Sequence, residues 1–224
     1  MDLSLLISLQ QADSAFPSGS FAFSQGLEAS STIADQIGTF DFEAFVEVQL
    51  FHRWMTADRV ALVRSYRLKN DLGRLTALDR EIEASILVDA LRAGSRRNGV
   101  ALLVAHERLG SQAASLYRTK IRNHEALGHL PLVQGLLWSS IGMSESMAVE
   151  VSAYQCAASL STAGIRLGIV PALEAQKTLT RLLKKVASAP LYKVEDDQPL
   201  SAFTPLSEIA IMLHRCADQR LFSN

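Results

Sequence analysis

Apolar residues recur along most of this chain at the spacing of an α-helix. Long stretches place them at positions i, i+3, i+4 and i+7, whereas strands would need strict alternation. In the segment that follows Thr204, one helical face is made of Leu206, Ile209, Ala210, Leu213 and Ala217. Alanine and leucine together number 62, against 24 for valine and isoleucine, which also favours helix. We therefore expect an all-α fold.

The same spacing predicts a single-domain helical bundle of about ten helices that spans residues 1–224. Pro131, Pro171 and Pro205 stand where helices can begin, because the first turn does not use the proline N–H. Residues 188–204 contain two prolines and an acidic run, which predicts a linker before the last helix. The predicted helices are 3–12, 20–31, 41–55, 57–69, 72–93, 95–107, 111–123, 131–141, 144–167, 171–187 and 205–218.

The segment 144–167 is rich in alanine, serine and glycine. A helix with such small side chains can be approached closely on most sides. We expect it to run through the centre of the bundle.

The charge of the chain is unevenly distributed. The 224 residues carry 22 Lys and Arg against 23 Asp and Glu, a net charge of -1, and 48% of them are hydrophobic, which excludes both disorder and a broadly basic nucleic-acid binder. No Lys or Arg precedes Arg53, so a basic amino-terminal DNA-reading helix is also excluded. The acids before Arg53 either steer a basic partner or form a solvated surface, and we favour the solvated surface. These acids are Asp2, Asp13, Glu28, Asp35, Asp41, Glu43 and Glu47.

Localisation signals favour the cytoplasm. The apolar opening follows Asp2 without a preceding base, so a signal peptide is not expected. Cys156 and Cys216 fit no CxxC pattern and are interpreted as buried, reduced thiols. The longest uncharged stretch, residues 126–144, is interrupted by glycine, proline and polar residues, so no membrane span is predicted.

Motifs for catalysis or for a cofactor are not found. The near-repeats at His106-Glu107 and His124-Glu125 begin like zinc-protease helices, but glycine stands where the second histidine is required. Phosphate-binding, dinucleotide-binding and nucleophile-elbow motifs are missing too. We therefore predict no enzyme activity, no cofactor and no metal. The alternative is a helical metal-dependent hydrolase whose site is assembled from the dispersed histidines His52, His106 and His129.

The most specific segment is Asp13 to Glu28, DSAFPSGSFAFSQGLE. Pro17 keeps Phe16 out of the helical region, and Gly26 within the predicted helix indicates that another backbone comes close. The segment is either a loop-to-helix corner with Phe16 and Phe23 in the core, which we favour on physical grounds, or a binding surface. At the other end of the chain, the tail of residues 219–224 either folds back on the core or inserts into a partner.

Four segments in this order resemble the UreF family of urease accessory proteins. They are DSAFPSGSFAFSQGLE, AGIRLGIVPALEAQ, TPLSEIAIMLH and RLFSN. The resemblance implies an all-helical homodimer without catalytic activity. It also implies that the protein binds UreD (also called UreH), the GTPase UreG and the urease apoprotein, and that it gates GTP-dependent nickel insertion.

The resemblance also implies which residues bind partners. The family's aromatic residue after the FPxG turn falls on Phe21, where tyrosine is common, so a hydroxyl contact is lost here. Arg215 stands where the family usually has glutamate, and the chain ends in Ser223-Asn224, which differs from the usual end. The candidate partner-binding residues are Phe16, Pro17, Gly19, Phe21, Ser24, Gly26, Glu28, Arg166, Gln176, His214, Arg220, Leu221 and Phe222.

Overall fold

The computed structural model describes residues 3–17, 25–37, 39–69 and 71–214. These residues form helices and contain no strand, which confirms the all-α bundle. None of these helices is long and apolar enough to cross a membrane. The helices are α1 Leu3–Ala12, α2 Leu27–Ile37, α3 Phe42–Gln49, α4 Arg59–Leu68, α5 Leu72–Ser85, α6 Asp89–Arg108, α7 Gln112–Arg122, α8 Leu130–Ser140, α9 Glu145–Arg166, α10 Ala172–Ser188 and α11 Pro205–His214.

A π-helical segment, Leu50–Asp58, joins α3 directly to α4. The prediction of two helices over 41–55 and 57–69 was therefore wrong. No proline or glycine interrupts residues 42–68, so the backbone continues and takes up a wider turn instead of breaking.

Two further predicted boundaries were wrong. Extended backbone at Ile86 and Val88 separates α5 from α6, so the break lies before Asp89 and Gly94 stays inside α6. Helix α2 begins at Leu27 because Gln25 and Gly26 have φ values of 51° and 85°, which lie outside the right-handed helical region.

Helices α8 and α9 form the centre of the bundle. Eight consecutive residues of α8, from Pro131 to Trp138, are buried. A Cβ at Gly135 would lie 2.3 Å from the Leu62 carbonyl oxygen, so glycine allows the α8 backbone to contact α4. Helix α9 contacts α1, α2, α3, α4, α8, α10 and the π segment, which confirms the central place that its small residues predicted.

The linker between α10 and α11 is fixed along α4 and the π segment. The N–H groups of Ser201 and Phe203 donate to the carbonyls of Thr56 and His52 at 3.2 and 2.8 Å. Three arginines of α4 donate to carbonyls in the part of the linker nearer α10. The pairs are Arg59 with Tyr192, Arg64 with Gln198 and Arg67 with Val194. The position of α11 therefore depends on this contact.

Candidate partner-binding site

The start of the amino-terminal motif turns tightly against α6. The Asp13 carboxylate accepts from the Ala15 N–H at 2.8 Å, and the Asp13 carbonyl accepts from the Phe16 N–H at 3.0 Å. The half-buried Phe16 ring packs on the His106 ring, with 5.5 Å between centroids. Phe16 and the exposed Pro17 line a surface groove of 630 Å³ with the carboxy-terminal half of α6.

The end of the motif packs against α11. Gly26 precedes α2, so the prediction that it lies inside a helix was wrong. A Cβ there would lie 2.7 Å from Ile211 Cδ1 and 3.6 Å from the Ser207 carbonyl oxygen, so the α11 backbone does come near, as predicted, although a side chain lies closer. Glu28 lies in the first turn of α2 and is only 8% exposed.

A small hydrophobic cluster holds α2 and α11 together. It contains Ala29 of α2, Ala210 and Ile211 of α11, and residues Val88 and Leu91. A buried hydrogen bond also connects α3 to α11, since Gln49 Nε2 donates to Ser207 Oγ at 2.9 Å. Sequence reasoning treated the two ends of the chain as separate signatures, and the structure brings Gly26 and α11 into contact.

Gln176 lies near the start of the amino-terminal motif, whereas Arg166 lies on another part of the surface. Gln176 is exposed on α10 and lines a groove of 420 Å³ together with Asp13 and Thr162. Arg166 is exposed in the last turn of α9 and does not line this groove. The predicted site residues therefore lie in more than one region of the described surface.

Seven predicted site residues fall wholly or partly outside the described residues. Helix α11 ends at His214, whose side chain is not described. Phe23, which was expected in the core, also lies outside the described ranges. Besides His214, the site residues outside the described ranges are Gly19, Phe21, Ser24, Arg220, Leu221 and Phe222.

Most of the described acids before Arg53, in the segment without Lys or Arg, have partners within the chain. Glu43 pairs with Arg181, whose hydrogen bond lowers the pKa of the Glu43 carboxyl below its ordinary value, although partial burial opposes this. Glu47 pairs with Lys185 at 2.8 Å, and Asp41 caps α3 by accepting from the Ala44 N–H. Two of the acids before Arg53, Glu43 and Glu47, therefore hold α3 against α10.

The three dispersed histidines have separate environments. His106 is buried with its Nε2 3.0 Å from Gln11 Oε1, and burial lowers the pKa of the imidazole to about 4. His129 Nε2 lies 2.7 Å from Glu83 Oε2 and its Nδ1 lies 3.1 Å from Ser95 Oγ, while His52 is exposed on the π segment. No three His, Cys, Asp or Glu side chains of the described residues are grouped to hold a metal ion. The hydrolase alternative gains no support from these positions.

The UreF family model matches residues 39–183 of this chain. The chain belongs to the UreF family. The urease accessory protein UreF of Trichodesmium erythraeum (strain IMS101) is 30% identical, over 100% of this chain and 98% of that protein. UreF of Actinobacillus pleuropneumoniae serotype 3 (strain JL03) is 27% identical over 96% of both chains. The protein named UreF 1 of Brucella melitensis biotype 1 is 28% identical over 98% of this chain and 92% of its own.

Family membership makes this UreF protein a urease accessory protein, and its family name describes no catalytic activity. The matched residues run from just before α3 through most of α10. Helices α1, α2 and α11 lie outside that match, although the relatives align with nearly the whole chain. The joint between α2 and α11 is thus built from the two ends of the UreF chain.

One buried carboxylate organises the entry to α8 in this UreF protein, and no sequence motif predicted it. Asp79 is 0% exposed and accepts from the hydroxyl of Tyr117 at 2.9 Å. It also accepts from the N–H groups of Leu127, Gly128 and His129 at 2.7, 2.7 and 3.0 Å. Four donors on one carboxylate fix the loop that starts the central helix.

Proposed function

We propose that this UreF protein is a non-catalytic cytoplasmic scaffold that bridges UreD (UreH) and the GTPase UreG. As a homodimer it gates GTP-dependent nickel insertion into apo-urease. The observation that carries the proposal is the packing of Gly26 and α2 on α11. This contact connects the end of the amino-terminal motif to the helix that leads into the carboxy-terminal motif.

The UreD-binding part of the proposal is assigned to Arg220, Leu221 and Phe222. Arginine and aromatic side chains often dominate interface energy when a partner buries them. Helix α11, which precedes them, exposes an apolar face of Leu206, Ile209, Met212 and Leu213. Helix α1 likewise buries Ser8 and Gln11 and exposes Leu3, Leu5, Leu6 and Leu9. Apolar faces of this kind support a role in assembly.

Deleting residues 219–224 should abolish co-purification with UreD while leaving the helical circular dichroism signal unchanged. The deletion removes the proposed anchor but none of the described helices. The measurement is a pull-down from a urease-positive extract that scores UreD, UreG and the urease subunits. A chain with both Ser223 and Asn224 changed to alanine is the matched control and should bind normally. Retention of UreD by the deleted chain would contradict the proposal.

The UreG-binding part is assigned to the corner from Phe16 to Glu28 together with Arg166 and Gln176. Because Arg166 is exposed at the end of α9, its removal should leave the bundle intact. Arg166→Ala should change either GTP hydrolysis or urease nickel content by roughly tenfold, as expected for the loss of a charged interface contact. The assay is a reconstituted maturation mixture.

Lys177→Ala is the control for Arg166→Ala. Lys177 is an exposed cation of α10 whose partner, Glu174 at 2.7 Å, lies on the same helix. The control should leave GTP hydrolysis and nickel content at wild-type values. If Arg166→Ala also gives wild-type values for both, Arg166 does not belong to the site.

A further inference from the structure

A cavity with several polar side chains in its wall lies between the π segment and helices α6, α8 and α9. It measures about 80 Å³ and is therefore large enough for a few water molecules or one very small ligand. A π-helical stretch of this length is rare, and such stretches are frequent at functional sites. The cavity walls include Arg53, Trp54 and Asp58 of the π segment, Asn98 of α6, Gln134 of α8 and Ser152 of α9.

Asn98 is the unexplained group in this wall. Its side chain is only 1% exposed, and its Oδ1 has no hydrogen-bond partner in the part of the chain that the structure describes. Burying an amide oxygen without a donor is unfavourable. The cavity therefore provides an acceptor for which the described residues supply no donor.

Arg53 and Asp58 provide complementary groups beside it. Arg53 Nε and Asp58 Oδ2 are 3.7 Å apart, which is too long for a hydrogen bond. Two neighbouring donors are already used, since Trp54 Nε1 donates to Ser152 Oγ and Gln134 Nε2 donates to Gln155 Oε1. Burial raises the pKa of the adjacent Cys156 thiol to about 12, so it stays uncharged at neutral pH.

We propose that this cavity binds a small uncharged amide of the urea type. Its N–H groups donate to Asn98 Oδ1 and to the Asp58 carboxylate, and its carbonyl oxygen accepts from the Arg53 guanidinium. A neutral ligand fits because burial penalises charge in this cavity, as it does at the Asp58 carboxyl, whose pKa it raises, and a charged ligand would lose its hydration there. The size of the cavity limits the ligand to a few non-hydrogen atoms.

The site lies beside one of the partner surfaces of the proposed function and shares one residue with it. Gln25, the residue before Gly26, also lines the cavity. Ligand binding is thereby placed next to the corner from Phe16 to Glu28, and it is measurable on the isolated chain without any partner.

The two tryptophans of the chain allow a direct test. Trp54 lines the cavity, whereas the Trp138 indole lies elsewhere and donates to Gln11 Oε1 at 3.2 Å. In protein labelled with ¹⁵N at the indole, urea at non-denaturing concentrations should shift the Trp54 signal saturably and leave Trp138 unmoved. Half-saturation is expected between about 0.1 and 10 mM, since a ligand of four non-hydrogen atoms has limited affinity. Trp54→Phe assigns the two signals.

Variants and a matched ligand decide the outcome. Asn98→Leu and, independently, Arg53→Met should each weaken binding at least tenfold, while Lys177→Ala should leave it unchanged. Tetramethylurea, which lacks N–H donors, should give no saturable shift. A Trp54 shift that stays linear with urea concentration means that the cavity holds only water and overturns the proposal. Unchanged saturable binding in both folded cavity variants overturns it as well.

Discussion

At the residue scale, a polar contact fixes α1 to the core. Gln11 Oε1 accepts from Trp138 Nε1 at 3.2 Å and from His106 Nε2 at 3.0 Å. The Gln11 carbonyl also accepts from Gln155 Nε2 at 2.6 Å. Helix α1 is thus held by hydrogen bonds on its polar side, while all four of its leucines are exposed. Burial, and not the bond to Gln11, makes the neutral form of His106 part of the fold.

His106 should make the protein less stable in acid. Its folded pKa of about 4 lies below the unfolded value of 6.5, so below pH 6.5 the unfolded chain takes up a proton that the folded chain does not. Its contribution to the free energy of unfolding is complete above pH 6.5 and falls by about 3 kcal/mol as the pH drops to 4. Denaturant titrations of the wild type and of His106→Gln at several pH values measure this difference.

The His106→Gln variant should show a shallower decline between pH 6.5 and 4, because glutamine does not titrate. Some decline should remain, since burial also lowers the pKa of His129. Equal slopes in the two proteins would show that His106 does not drive the loss of stability.

At the element scale, the hydrophobic spacing predicted helices with good bounds where polar caps and glycines mark the ends. Helix α1 was predicted at its observed bounds, and α9 was predicted to within one residue, from Ser144, which caps it, to Leu167. The π segment was not predictable, because its side chains keep a helical periodicity while the hydrogen bonds shift by one residue. The attachment of the linker was not predictable either, because it uses main-chain groups that carry no sequence signal.

Ser201→Pro should loosen α11. Proline removes the N–H that donates to the Thr56 carbonyl, one of two main-chain bonds between the linker and the π segment. Amides of α11 should then exchange with deuterium roughly tenfold faster, which corresponds to about 1.4 kcal/mol, whereas α8 should be unaffected. Ser201→Ala retains the N–H and serves as the control. Unchanged exchange in α11 of the proline variant would show that the linker does not hold this helix.

At the scale of the whole molecule, the sequence predicted the family, the helical class and the central helix, but not the contact between its ends. Gly26 and Ile211 are far apart in the chain, and no periodicity connects them. The acids before Arg53 were expected to form a solvated surface or to steer a basic partner, yet Glu43 and Glu47 pair with α10 and Glu28 is buried. Contacts between residues that are far apart in the chain decide which side chains are free to meet a partner. The pattern of residues along the sequence does not reveal these contacts.

A chain that ends at Thr204 should expose α2 to proteolysis. Such a chain lacks α11, so Ala29 loses the apolar contact with Ala210 and Ile211. Cleavage within residues 27–37 should become at least tenfold faster than in the full chain, because local opening then costs less free energy. The chain lacking only residues 219–224 is the control and should resist cleavage. Equal resistance of both shortened chains would show that α11 does not protect α2.

The joint between α2 and α11 also sets an order for synthesis. The ribosome releases the amino-terminal motif first, but α11 is among the last helices to emerge. Until α11 has left the exit tunnel, Ala29 has no partner on that side and Gly26 has no contact with Ile211. A nascent chain that has not yet released α11, or a chain terminated before α11, therefore cannot complete this corner.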